Sequence, residues 1–432
     1  MLDIRFIREN QDLIKEGARK KHIDFDVAAL IAADEKRREI LAQVEAMRGE
    51  QNAANEKIGA AQTPEERTAC IDAVRGVKEK LAAAEETLKE VMKEWQALMV
   101  AVPNIPDISV PEGASDKENR EVRTWGEAPK FNFEIKNHVD LMRDLGMLDI
   151  ERGTKVAGFR GYMLTGDAVL LANAITNLVW DTFSKKGFRP MIVPSLVKKA
   201  PFIGTGYLPQ SEEDLYKTQD GDYLAGTAEV ATMGFLMDEA VEKSQLPLKF
   251  ISYSPCFRRE AGSHGKDTRG LIRVHEFHKF EQVVICEATH EESVRLHEEI
   301  TANAEELLQM LEIPYHVVVN CGGDLGLGQV KKYDIESWVP SENAYRETHS
   351  ASYFHDFQTR RLNIRYRDAA GKLVFAHSLN NTAIALPRIL VPIVENNQQE
   401  DGSILIPKVL RPYMGGRERI TPPAWLQNKS HA

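Results

Sequence analysis

From Val27 to Val100 the chain carries no aromatic residue before Trp95, and Ala, Glu, Lys, Leu and Arg dominate. Ile71, Val74, Val77, Leu81, Ala84, Leu88, Val91, Trp95 and Leu98 recur at spacings of three and four, the seam of a coiled coil. A weaker seam precedes it: Leu30, Ile40, Val44, Met47, Ala54 and Ile58. Between the two, Gly59 can end a helix, Thr63 can cap the next, Pro64 suits its first turn and Glu66 completes a capping box. Two arms of about 30 residues, each roughly 45 Å long, therefore fold back on one another as an antiparallel pair. A rod of that length cannot be covered by a compact domain and must project. It is open at this point whether it is a dimerisation element, a spacer or a grip for a partner. Residues 27–100 hold 11 Lys/Arg against 14 Asp/Glu, a net of −3, so any cationic stripe for an anionic partner is narrow. Arg37, Arg38, Arg48, Arg75 and Lys78 are its candidates.

The rest of the chain is patterned differently. Residues 1–26 read as a short helix with a basic end followed by a linker, and 106–130 read as a second linker rich in Pro, Gly, Asp and Glu. From Phe131 onward, helical runs (168–185, 291–311) alternate with short β-rich runs (191–194, 250–257, 277–285, 316–319, 363–366). An α+β domain on a mainly antiparallel sheet follows, over about 131–415, with a polar tail over 416–432. At 432 residues the chain has room for two or three domains. No apolar run reaches membrane-spanning length, and the first residues lack a signal peptide's apolar core. The four cysteines, Cys70, Cys256, Cys286 and Cys321, form no Cys-x-x-Cys pair, which suggests neither zinc nor disulfides and points to a reducing cytoplasm. A net charge of −10 disfavours general nucleic-acid or DNA affinity.

Chemistry concentrates near the middle. Lys249–Glu260 and Val274–Cys286 read as two antiparallel strands around a charged, Gly-punctuated loop, yet Arg258, Glu260, His275 and Glu281 stand where a structural strand carries apolar groups. An Arg can fork onto a phosphate, a carboxylate can accept from an exocyclic amine, and Phe277 can stack on a base. A salt-bridged surface hairpin is the plainer alternative. Further on, His377–Asn396 passes into an apolar stretch with one charge, Arg388. An Arg among Leu386, Ile389, Leu390 and Ile393 is costly unless it meets an anion, a ligand's or a structural carboxylate. No Gly-x-Ser-x-Gly elbow and no Gly-x-x-x-x-Gly-Lys-Ser/Thr loop occurs.

In this order the segments resemble a class II aminoacyl-tRNA synthetase: 186–194 is similar to its first motif, 257–281 to its second, and the segment ending in Arg388 to its third. Gly226-Thr227-Ala228-Glu229, the run Gly270–Glu281 and the N-terminal rod narrow the resemblance to the seryl-tRNA synthetases. The resemblance implies a homodimer built through the first motif. It implies ligation of serine, through a seryl-adenylate, to the terminal adenosine of tRNA(Ser), with tRNA(Sec) a further substrate where it exists. It makes 1–105 a tRNA-binding domain and gives Arg258, Arg388 and Glu347 the catalytic roles. Arg258 would meet the α-phosphate and the substrate carboxylate, and Arg388 the γ-phosphate. Arg259, Glu260, Val274 and Phe277 would complete the ATP site with Glu347, Thr348, His349 and Ser350. Glu347 and Ser350 would also offer oxygen ligands to magnesium. Serine would be held by Thr227, Ala228, Glu229, Arg258, Glu281, Asn380 and Thr382.

Three places depart from the family's usual pattern. Asn381-Thr382 stands where Gly-Ser is common, Leu386-Pro387 replaces the glycine before the Arg, and Glu347-Thr348-His349-Ser350 replaces Glu-Ile-Ser-Ser. Thr382 keeps the hydroxyl that serine would offer. Two rival readings remain at this level, a ligase charging a carrier protein and a non-catalytic coiled-coil protein on a degenerate body.

Overall fold

The computed structural model describes residues 1–261, 265, 267 and 269–423. The chain divides into two compact units: residues 2–19 with 23–103, and Met1 and 20–22 with 104–432.

The first unit is all helix: α1 (Ile4–Glu9), α2 (Gln11–Lys20), α3 (Val27–Ala60) and α4 (Pro64–Ala101). The start is thus two helices where the sequence suggested one. The turn between α3 and α4 forms as its residues dictate, with Pro64 at the first position and Thr63 and Glu66 closing the capping box. Cross-arm contacts run antiparallel: Arg37 lies 4.7 Å over the Trp95 ring, and further out Arg48 bonds Glu85 at 2.7 Å. Leu30, Val44, Leu81 and Val91 are buried along the seam, whereas Ile71, near the turn, is 48% exposed. Two candidates for a cationic stripe are therefore engaged within the rod. Arg37 also pairs with the buried Asp34 at 2.8 Å, while Arg38 and Lys78 are exposed.

The second unit is built on an eight-stranded sheet: β1 (Arg120–Trp125), β2 (Arg189–Ile192), β3 (Leu248–Phe257), β4 (Glu276–Cys286), β5 (Tyr315–Val319), β6 (Lys331–Val339), β7 (Ala344–His355) and β8 (His377–Leu386). The order is β1-β5-β6-β7-β8-β4-β3-β2. Every pairing is antiparallel except β2 with β3. Helices α5 (Asp167–Lys185), α6 (Glu229–Phe235), α7 (His290–Met310), α8 (Phe357–Arg361) and α9 (Leu390–Asn396) complete the elements used below.

Alternation along β4 shows how the sheet divides its labour. Phe280, Val284 and Cys286 join the main core with α5 and α7, and Val283 and Ile285 join a smaller cluster on the other side. On that second side, Phe277, Lys279 and Glu281 line an open cavity. One strand thus carries a core face and a face that changes from apolar to charged along its length.

Two boundary expectations change. The segment 106–130 is not merely a linker, because Arg120–Trp125 pairs with β5 as the sheet's edge strand. Its polar composition hid it, since five of its six residues are exposed. The polar tail begins later than 416, because Arg419–Ile420 pairs with Ile404–Leu405 and Ile420 is buried. The remainder of that expected tail, 424–432, lies outside the described residues.

Candidate active site

A cavity of about 230 Å³ opens on the charged face of β4, β7 and β8. Four cationic side chains line it, Arg258, Lys279, Lys332 and Arg388, together with four carboxylates, Glu229, Glu260, Glu281 and Glu347. Such a lining suits a ligand that carries both signs of charge.

Irregularities in two strands decide which residues reach the cavity. Between β4 and β8 the register skips a residue, with Phe280 opposite Ile384 but Glu281 opposite Thr382. The extra residue, Ala383, lets Asn380 and Thr382 share the cavity face with Ala385. A second bulge lies in β7, where His349 faces Ile335 and Glu347 faces Glu336. Thr348 is the extra residue there, and Glu347 joins Ser350 on the cavity wall. Glu347–Ser350 lies inside β7, and the next helix starts at Phe357.

At one end Arg258 follows the last residue of β3. Its guanidinium donates to the Gly226 carbonyl at 3.3 Å and sits 5.3 Å from the Phe277 ring centre. Glu260 adopts a positive φ of 56° and pairs with Arg273. Arg388 donates to the carbonyls of Ile272 at 2.9 Å and Glu347 at 3.2 Å, and the Glu347 carboxylate lies 3.7 Å away. Burial pulls the Arg388 guanidinium below its ordinary range while Glu347 opposes the shift. A desolvated cation only partly offset is set to receive an anion.

The other end holds two carboxylates. Glu281 pairs with Lys279 and accepts from Thr227 at 3.2 Å and from Thr382 at 3.5 Å. Glu229 heads α6 and accepts from Tyr207 at 3.2 Å and from Gln358 at 2.6 Å. Burial, then the nearby Glu281, pushes Glu229 up to about 7. Two buried carboxylates with hydroxyls and an amide around them form a socket for an ammonium that also bears a hydrogen-bonding group.

Three expected site residues are not brought to this cavity. Arg259 turns outward, donating to the Glu213 carbonyl at 3.1 Å, because its neighbour Arg258 takes the inward position. Ala228 is buried beneath the start of α6, where its carbonyl accepts from Thr232. His349 is on the opposite face of β7, 1% exposed and 2.8 Å from the Thr348 hydroxyl, and burial lowers it to about 4. Arg258, Glu260, Val274, Phe277, Glu347, Thr348 and Ser350 all line the cavity, as do Thr227, Glu229, Glu281, Asn380, Thr382 and Arg388.

Lys279, Lys332 and Tyr207 line it without having been singled out. Lys279 was within reach of sequence reasoning, because it lies between Phe277 and Glu281 at period two. Lys332, held between Asp324 at 3.5 Å and Asp334 at 3.4 Å, and Tyr207 carry no such signal. Among the described residues, no three His, Cys, Asp or Glu side chains converge as a metal site. Glu347 and Ser350 supply one carboxylate and one hydroxyl on a shared wall. That donor set fits a hard cation that keeps its waters and is shared with ligand phosphates.

The profile of the seryl-tRNA synthetase N-terminal domain matches residues 1–106, and that of the class II tRNA synthetase core domain (G, H, P, S and T) matches 215–397. A serine–tRNA ligase of Deinococcus radiodurans is 46% identical over 98% of this chain and 100% of its own length. The chain belongs to the seryl-tRNA synthetases. Another family member, from Cellvibrio japonicus, is 43% identical over 98% of this chain and 99% of its own. A seryl-tRNA synthetase structure from Pyrococcus horikoshii, complexed with ATP, superposes with a TM-score of 0.88 at 38% identity, covering 98% of this chain and 100% of that one. The fold expected for this family, a helical N-terminal hairpin and an α+β class II core, is the fold observed. No helix among the described residues is long and apolar enough to cross a membrane.

Proposed function

We propose that this chain joins serine to tRNA in two steps within the one cavity. The serine carboxylate attacks the α-phosphorus of ATP, diphosphate leaves, and the seryl-adenylate then gives its acyl group to the terminal adenosine of tRNA(Ser), releasing AMP. The chain is a serine–tRNA ligase; the adenylate, and tRNA(Sec) as a second acceptor, are the finer parts of the proposal. The observation that carries it is the division of the cavity, with Arg258 and Arg388 toward Phe277 and Glu260, and Glu229 and Glu281 among Thr227, Asn380 and Thr382.

Each group has a part in this scheme. Arg258 holds the α-phosphate against the incoming carboxylate, and Arg388 takes the terminal phosphate. Phe277 stacks on adenine with Val274 beside it, and Glu260 accepts from the exocyclic amine. Glu229 and Glu281 face the substrate ammonium, and Thr382 and Thr227 complete its polar surroundings. Magnesium, held by Glu347 and Ser350, would neutralise phosphate charge. Catalysis is then positioning and charge stabilisation, with no protein nucleophile. A pocket whose polar groups await a hydroxyl rejects alanine and glycine, since those groups would stay buried and unpaired. The exposed Ile192 on edge strand β2 and exposed Val169 and Leu170 on α5 support a homodimer through this region. A cytoplasmic location belongs to the same reading.

The test is aminoacylation of purified serine tRNA, preceded by ATP–diphosphate exchange with a panel of amino acids. Only serine is expected to support exchange. Glu281→Ala is expected to raise the apparent KM for serine at least tenfold, about 1.4 kcal/mol or more, while leaving ATP affinity nearly unchanged. Collapse of ATP affinity with an unmoved serine requirement would displace Glu281 from the amino-acid end.

A further inference from the structure

We infer that Gln358 and Ser378 form a positioning pair that fixes Glu229 and keeps it able to take the substrate ammonium, an inference that rests on the proposed serine reading. Gln358 lies on α8, outside every motif considered above, and is 1% exposed. Its amide nitrogen donates to Glu229 Oε1 at 2.6 Å and to the Thr205 carbonyl at 3.4 Å. Its amide oxygen accepts from the Ser378 hydroxyl at 2.7 Å, and Ser378 is itself fully buried at the start of β8.

These contacts leave the amide one orientation. Flipping it would set its oxygen against a carboxylate oxygen and a backbone carbonyl, three acceptors without a donor, deep inside the protein. The Glu229 carboxylate and the Thr205 carbonyl therefore determine which end of the amide faces them, and Ser378 anchors the oxygen end. Tyr207 takes the second carboxylate oxygen, and the two donors together hold the carboxylate at the mouth of α6.

The arrangement has an electrostatic consequence. From β4, Glu281 raises the proton affinity of Glu229 and Lys279 lowers it; the amides of Gln358 and, from β8, Asn380 also lower it. Tyr207, which faces Glu229 from the segment after Thr205, is pushed far upward by burial and stays neutral. The ionised form that an ammonium needs is thus maintained against burial chiefly by the donor on Gln358. Below about pH 7 a substrate must displace a proton from Glu229 before it can pair with it, so affinity for serine falls as pH falls. Loss of the Gln358 donor moves that fall to higher pH.

The experiment measures the apparent KM for serine in ATP–diphosphate exchange from pH 5.5 to 9 for the parent, Gln358→Met and Ser378→Ala. Thermal melts and the KM for ATP are followed in parallel. Gln358→Met keeps the side chain's length without its donor. It is expected to raise the serine KM about tenfold at pH 7 and shift the acidic limb upward by about one pH unit. The ATP KM is expected to stay within about twofold. Ser378→Ala is expected to shift the limb the same way by less, and Ser378→Thr, which restores a hydroxyl, to return it toward the parent. A Gln358→Met profile that overlays the parent's overturns the inference. So does a serine KM raised equally at all pH values, which would mark a structural role. If Gln358→Met does not fold, the Ser378 pair decides alone, and an unmoved limb in Ser378→Ala overturns the inference. Failure of the serine reading is separately visible, as exchange in the parent supported by another amino acid.

Discussion

Arg258→Ala is expected to lower serine-dependent ATP–diphosphate exchange by at least about 10³-fold, roughly 4 kcal/mol of transition-state stabilisation, with the fold intact. Arg388→Ala is expected to do the same. Both guanidiniums face one cavity, and their protein bonds there end mainly on carbonyl oxygens, those of Gly226, Ile272 and Glu347. Carbonyls at a cavity wall can turn to water when the arginine goes, so the melting temperature should move little. The polyphosphate has no such substitute. Lys279 is taken by Glu281, and Lys332 is shared between Asp324 and Asp334. Exchange at the parental rate in either folded variant would remove that arginine from the chemistry.

Replacing residues 27–98 by a short linker is expected to separate the two halves of the reaction. Adenylate formation should persist, because every residue lining the cavity lies beyond position 200. Transfer to tRNA should fall by at least about 10²-fold, near 2.8 kcal/mol, if the rod is the main handle on the tRNA. In the parent, salt should weaken tRNA binding only modestly. Each neutralised phosphate adds roughly 0.9 or less to the log–log slope, and the rod holds few uncommitted cations, with Arg37 and Arg48 already paired to Asp34 and Glu85. Efficient charging by the truncated chain would make the rod a spacer. A steep salt slope would reveal a concentrated cationic stripe that the net charge of −3 conceals.

Legibility followed the strength of each local signal. The rod was readable because a repeat of three and four over nine positions, closed by Thr63, Pro64 and Glu66, has few other interpretations. Strands β3 and β4 were readable for the same reason at period two. Strand β1 was not, because an edge strand buries little and its Arg, Glu and Thr side chains read as solvated loop. Of the site, Phe277 and Glu281 lie at alternating positions of β4 and both line the cavity. His349 is away from the cavity, which pattern counting cannot foresee across a bulge, and so is Arg259, because it and Arg258, adjacent just past the end of β3, turn to opposite sides. Gln358 was silent because an amide on a short helix acquires meaning only from the carboxylate that the fold brings to it.

The two bulges bring residues three apart in the chain, Glu347 with Ser350 and Thr382 with Ala385, onto one wall. A strand assigns its residues to one face or the other by counting, and at Thr348 and Ala383 the count is deliberately off by one. Thr348→Ser should be nearly silent, since it keeps the hydroxyl that meets Ser337 at 2.8 Å. Deleting Thr348 takes out the extra residue itself, so Glu347 should still face Glu336 on the same wall as Ser350, and the variant should keep far more exchange activity than Glu347→Ala. Exchange assays on the two variants would show it. Drift at such positions is therefore free to change letters, and even to lose the one extra residue, without turning the catalytic wall away.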